Sequence, residues 1–437
     1  MRNIKNANVN YKLWMMLTLI SLIPQLYSVV RVHLLGSLPD QSTFQIISQI
    51  SWLNAGYEVL SEGLIIPLVY LLGQVVNNKK ILSERVSQSF NIIILAYLLI
   101  TIIVMFFTPE IVTFMQQQPV YIKETVCYIR LESIAIFISS VYVYLNSILI
   151  IKNKKRALCI LLILQTTMTI VIDLFLISEY SFSFKLGVYG IAVCNIIVNL
   201  ILMVILLYFV QRSGIAIRLY YLIFSEHKWI RQWFQIGWKA GVESFIRNAV
   251  YTLMILQMIN QVQQSGTYWL ANQFIWGWLL LPVISLTWVI KQDAATGNGL
   301  SRRQVNRYLA LTVGIATLWL VTAPTWPTVF KYVTDNQLVE PAINLVYYMI
   351  FFYIFFAFSN VVESYFYGIG RTDLILYKSL AINVIFYGSV FALYKVNIFT
   401  LTFDRIINLF GSGMAINALI TFLMYLMISN PKCKLSS

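Results

Sequence analysis

The chain has 437 residues, of which 59% are hydrophobic and 11% charged, with a mean hydropathy of +0.75. A soluble domain carries about 25% charged residues, so this composition excludes a water-soluble fold and points to a polytopic membrane protein. The net charge of +14 is scattered through short loops and not gathered in a basic arm, which excludes a nucleic-acid-binding role.

Apolar runs long enough to cross a bilayer lie near 11–35, 43–73, 88–108, 122–151, 157–179, 187–211, 233–260, 267–291, 305–331, 341–368, 373–395 and 405–429. The sequence therefore predicts an all-α membrane protein with twelve transmembrane helices. Arg2 and Lys5 precede the first run, which lacks a small-residue cleavage site and reads as a retained span. Lysine and arginine number 21 in the N-terminus, the even-numbered loops and the C-terminus. The opposite loops hold only Lys123, Lys185, Lys331, Lys395 and Arg405. Both termini are expected on the cytoplasmic side of a plasma membrane, here a bacterial inner membrane.

A faint repeat appears at an offset of roughly 220 residues, the length of one six-helix unit in this family of plans. Gly190-Ile-Ala-Val-Cys-Asn195 in span six is similar to Gly413-Met-Ala-Ile-Asn417 in span twelve. The expected domains are an N-lobe over 1–211, a linker over 212–232 and a C-lobe over 233–437. An even number of spans separates the repeats, so the lobes should be related by a pseudo-two-fold axis along the membrane normal.

Polar residues inside the spans are the candidates for function. A charge at mid-membrane costs about 2.5 to 3.5 kcal/mol on insertion scales, so each needs a protein or water-filled partner. Span two carries Asn54, Glu58 and Glu62 four residues apart, on one helix stripe. Span five carries Asp173, and span seven carries Glu243, Arg247 and Asn248. Glu243 and Arg247 project roughly 40° apart, acid first, the favourable order for an ion pair. Span eight has Asn272 and Gln273, and span ten has Asn360 and Glu363.

The carboxyls Glu58, Glu62, Asp173, Glu243 and Glu363 are the candidates for cation or proton coupling, with Glu58 grouped with Glu62 and Glu243 with Glu363. Asn54, Arg247, Asn248, Asn272, Gln273, Asn360 and Arg31 are the candidate substrate contacts. Structural readings stand beside these: a packing ion pair for Glu243–Arg247 and interhelical hydrogen bonds for Asn54, Asn272 and Gln273. Arg31 and Lys239 lie near span ends and read as snorkelling residues. Arg130, Glu132 and Lys378 read as interfacial. No P-loop or GxGxxG fingerprint is present, and His33 and His227 are far apart, so neither an enzyme, ATP drive, a metal site nor a cofactor is expected. Four cysteines without CxxC spacing predict no disulfide framework.

Several stretches resemble the multidrug and toxic compound extrusion (MATE) family of secondary transporters. Gly187-Val-Tyr-Gly-Ile-Ala192 is similar to that family's opening of span six, and Asp173 stands where an aspartate is often found late in span five. Gly266-Thr-Tyr-Trp-Leu-Ala-Asn-Gln273 with Leu281-Pro282 is similar to span eight, and Tyr367-Gly-Ile-Gly-Arg-Thr372 to the turn after span ten. The resemblance implies a monomeric antiporter in the lipid bilayer, exporting small organic, amphipathic compounds by alternating access, with Na⁺ or H⁺ as coupling ion. The rival within the wider superfamily is a flippase for a lipid-linked saccharide or another anionic metabolite. One departure stands out. The family's cation-coupling aspartate in span one aligns here with Ser28 or Arg31, in Pro24-Gln-Leu-Tyr-Ser-Val-Val-Arg31.

Overall fold

A computed structural model describes residues 9–38, 42–152, 154–217, 227–296, 299–333, 337–396, 398 and 400–429. Arg2, Lys5, Asp40, Arg218, Lys432, Cys433 and Lys434 lie outside these residues. All regular structure among the described residues is helical. In chain order the helices are α1 (Tyr11–Gly36), α2 (Thr43–Gly73), α3 (Lys79–Phe114), α4 (Pro119–Ile151), α5 (Lys155–Leu176) and α6 (Val188–Arg212). They continue with α7 (227–261), α8 (265–296), α9 (Arg302–Val333), α10 (Val339–Gly368), α11 (372–395) and α12 (Phe403–Ser429). Each predicted span has its helix.

The ends follow local chemistry. α3 begins at Lys79 and not near 88, because Asn78 accepts a hydrogen bond from the Ile81 N–H and caps a charged first turn. Ser301 and Gln304 form a reciprocal capping box at the start of α9. α8 is bent by 50° where Leu280 meets Leu281-Pro282, since Pro282 has no N–H to give to the preceding turn. Ten helices among the described residues are long and apolar enough to cross a membrane alone, and the bent α8 makes an eleventh. α7 is too polar to pass alone: Lys228, Arg231, Lys239, Glu243 and Arg247 interrupt it. The chain is a multi-pass membrane protein.

Contacts divide the chain into two compact units. One runs from Tyr27 to Gly266; α4 packs against α3 and α6, α5 against α6, and α7 against α2. The other joins α1 up to Leu26 with the chain from Thr267 onward; there α10 packs against α8, α9 and α12. The close pairs α4–α6 and α10–α12 hold equivalent places in the two halves of the sequence repeat. Grouped this way, α7 belongs with α2 and the beginning of α1 with α8, whereas the sequence boundary at 212–232 assigns them to opposite lobes. The reason is local. Gly63 of α2 lies against Gly237 and Gly241 of α7 so closely that a Cβ on Gly237 would collide with the Gly63 carbonyl oxygen. In the other unit Trp14 of α1 donates to the Pro282 carbonyl of α8 at 2.9 Å.

Candidate functional site

α2 and α7 run antiparallel and meet at three levels. At one end Gln49 and Asn260, both buried, exchange amide hydrogen bonds of 2.8 and 3.0 Å, and Asn260 also donates to the Met115 carbonyl at 2.8 Å. At the other end are the glycine contacts and Trp233, whose indole donates to the Leu64 carbonyl at 2.9 Å. Between them lies the charged cluster. The Arg247 guanidinium reaches Glu62 at 2.8 Å, Glu58 at 3.5 Å and Glu243 at 3.5 Å.

Three carboxylates therefore surround one guanidinium, so these four side chains together carry a charge of −2 when all are ionised. The four-residue stripe of α2 supplies Glu58 and Glu62, and the i,i+4 spacing of α7 supplies Glu243. Glu62 lies in a widened turn of α2, where the Ile66 N–H reaches back to the Ser61 carbonyl; such turns recur at functional positions. Side-chain exposures of 40% for Arg247, 46% for Glu58 and 23% for Glu62 leave the cluster open to a ligand. Asn54, one turn from Glu58, is exposed on the same stripe.

The same unit holds a second, buried network. Arg31 grips Asp173 with two bonds, Nε to Oδ2 at 2.8 Å and Nη2 to Oδ1 at 3.1 Å, and its Nη1 donates to the Asn195 Oδ1 at 3.2 Å. Asn195 in turn donates from Nδ2 to Glu132 at 2.9 Å. Arg31 thus does not snorkel, and Glu132 is not interfacial: Asp173 and Glu132 are 1% and 3% exposed. The cause is the partner. Near the end of α1, Arg31 is drawn inward by a carboxylate on α5 instead of outward to headgroups. Glu132 lies ten residues beyond Ile122, roughly 15 Å along α4, too deep for an interface.

In the unit beginning at Thr267, Glu363 forms an ion pair with Lys378 and accepts from Asn417 at 3.0 Å and, at 3.5 Å, from Thr421. Lys378 is buried, so its interfacial assignment is also corrected. Glu243 and Glu363, grouped in the sequence reading, have different partners in different units. Asn195 and Asn417, matched by the repeat, do the same work, each donating its amide to a glutamate on the helix two earlier. Lys239 and Arg130 are exposed, and Arg130 donates to the Met105 carbonyl at 3.1 Å.

The remaining polar candidates are dispersed. Asn248 is buried and donates to Ser244 at 3.1 Å, within its own helix. Asn272 accepts from the Tyr353 hydroxyl at 3.1 Å, an interhelical bond between α8 and α10. Gln273 and Asn360 are half-buried. Among the described residues, no three His, Cys, Asp or Glu side chains are arranged to hold a metal ion. Sequence reasoning missed Gln49, Asn195, Asn260 and Asn417; the Gly190–Asn195 repeat was the available signal for two of them.

No protein-family model matches the chain, and no curated protein matches it. Solved structures do. A multidrug resistance MATE family transporter of the MOP superfamily, in its inward-facing conformation, superposes with a TM-score of 0.77 at 15% identity, covering 98% of this chain and 99% of that one. The fold is that of the MATE transporters. An outward-facing MATE structure gives a TM-score of 0.65 at 17% identity over 96% of this chain and 95% of the other. A MOP superfamily transporter from Pyrococcus furiosus, described as having a binding pocket of reverse polarity, gives 0.67 at 15% identity over 96% and 95%. MATE structures have twelve helices in two lobes, the number of helices found here.

Proposed function

We propose that this protein is a secondary transporter that exports small, amphipathic organic cations by alternating access, in exchange for H⁺ or Na⁺. The MATE fold supports the transporter class. The observation that carries the substrate charge is the α2–α7 cluster, with three acids around one base. A flippase for anionic, lipid-linked substrates would need the opposite balance.

An organic cation added to this cluster shares the carboxylates with Arg247 and reduces their mutual repulsion. A proton on Glu58 or Glu62 removes one of the charges that hold it, so proton binding and cation binding oppose each other. Opposition alone moves nothing: the two ligands must also favour different facing states. The cluster lies between two fastenings of the α2–α7 pair, the Gln49–Asn260 amides and the Gly63–Gly237 approach, which keep its carboxylates and Arg247 within reach of one another. The test is uptake of a fluorescent organic cation by proteoliposomes, with proton and Na⁺ gradients imposed separately. One of the gradients should drive accumulation; movement under neither sinks the reading.

A further inference from the structure

The connection between α5 and α6, residues 177–187, supplies a donor to each of the last four carbonyls of α5. Asp173 accepts from the Ile177 N–H at 2.8 Å and Leu174 from the Ser178 hydroxyl at 2.6 Å. Phe175 accepts from the Phe184 N–H at 2.9 Å and Leu176 from the Leu186 N–H at 2.8 Å. A helix end in water can leave these carbonyls to water; this one seals them within the chain. Left-handed φ angles of 51° at Lys185 and 56° at Gly187 turn the backbone into α6, and Lys185 pairs with Glu179 at 3.3 Å across the neck of the loop. The large apolar side chains of the loop are open: Tyr180, Phe182 and Phe184 are 58%, 56% and 74% exposed. Tyr180 stacks on Phe182 with ring centroids 5.4 Å apart, and Phe182 meets Phe175 of α5 edge-on at 5.4 Å.

Phe175 joins this aromatic patch to an exposed stripe of α5. Ile160, Ile163, Thr167, Val171 and Phe175 follow one another at three or four residues and are all exposed, so they share one helix face. Thr169 and Asp173, about 200° around the helix from Val171, are buried, and α5 packs on α6. The stripe is therefore the side that α5 turns to lipid. Depth agrees. α5 has 22 residues, roughly 33 Å, counted from the end beside Lys154 and Arg156, and α6 has 25, roughly 37 Å, ending at Arg212. The hydrocarbon core is about 30 Å thick, so with these basic residues at one boundary the loop reaches the other. At that level aromatic rings are favoured, and backbone groups without partners are penalised. We propose that residues 180–184 are a membrane anchor: Tyr180, Phe182 and Phe184 insert at the headgroup–acyl boundary of the bilayer and hold the α5–α6 end at that depth. The sealed carbonyls of α5 let the loop sit there, and the Glu179–Lys185 pair marks its aqueous edge. The anchor is independent of what the protein transports.

The test is the depth of a nitroxide label in liposomes of phosphatidylethanolamine and phosphatidylglycerol. Electron paramagnetic resonance power saturation reads it with oxygen, which concentrates in the bilayer, and with a water-soluble nickel chelate. The label is attached to Tyr180→Cys or Phe184→Cys in the full chain, with Cys127, Cys159 and Cys433 changed to serine and the buried Cys194 kept. Both labels should collide with oxygen severalfold more often than with the chelate. Chelate collisions equal to or above those of oxygen at either position would place the loop in water. Shielding from both reagents would show that protein, such as a second copy of the chain, covers the patch. Either result overturns the anchor. If a cysteine variant does not fold, Phe182→Trp gives a second reading. Its fluorescence, taken as the difference from wild type, should be quenched by lipids brominated high on the acyl chain, and no quenching beyond wild type overturns the anchor equally.

Discussion

Gln49 and Asn260 face one another as a reciprocal amide pair, 211 residues apart in sequence and both almost fully buried. Alanine at either position leaves the other amide buried with fewer partners, at a cost of about 1–3 kcal/mol. The two substitutions together should cost less than their sum, with a coupling of about 0.5–3 kcal/mol. Thermal unfolding in detergent across the four-protein cycle measures it, and additive losses would show that the pair is not a unit. In the transport reading this pair holds one end of α2 to α7. The double variant should also expose a cysteine placed at Ala55 to an impermeant thiol reagent more readily than wild type.

Arg31 and Asp173 are a different kind of pair, enclosed rather than open. Removing one member of a buried ion pair leaves the other uncompensated and costs about 3–5 kcal/mol. Asp173→Ala and Arg31→Ala should each lower the unfolding temperature and the yield of monodisperse protein. Loss of less than about 1 kcal/mol would mean that water reaches the pair.

Gly237→Ala should destabilise, by about 1–3 kcal/mol, because its Cβ meets the Gly63 backbone and neither helix can yield without moving the other. Gly314→Ala in α9 is the control. A Cβ there meets nothing within 4 Å, and the exchange should be neutral or stabilising by up to about 1 kcal/mol. Equal effects of the two substitutions on thermal stability would contradict the close approach of α2 and α7.

For Arg247 the expected signature is functional. Its three ion pairs are partly exposed, and such pairs contribute at most about 1 kcal/mol each. Arg247→Ala should fold and give a normal size-exclusion profile while organic-cation export falls. Combining it with Glu243→Gln should not restore export. Full recovery in the double variant, by uptake assay, would reduce the pair to packing.

Much of the fold was legible because hydrophobic run length and bilayer thickness are tied together, and each of the twelve predicted runs forms a helix. The α2 stripe was legible for a similar reason: residues at i, i+4 and i+8 share a face whatever they pack against. That Arg247 of α7 closes on this stripe was not, since a helix face does not reveal its partner. Arg31, Glu132 and Lys378 were misplaced because distance from a span end was taken to fix their surroundings. For Arg31 and Lys378 a carboxylate on another helix outweighs the pull of the headgroups, and for Glu132 the Asn195 amide of α6 does so; only these contacts between helices reveal it. The amide pair Gln49–Asn260 was hidden for another reason: Asn260 stands at a helix end, where a polar residue passes as ordinary.

The most direct measurement of the proposed site is equilibrium binding of a lipophilic organic cation and of an anion of similar size to the purified protein. Wild type should prefer the cation, and Glu58→Gln and Glu62→Gln should each weaken its binding by about tenfold, or ~1.4 kcal/mol, while leaving the anion unaffected. Unchanged cation affinity in both variants, or tighter binding of the anion by wild type, would contradict an acidic substrate site between α2 and α7.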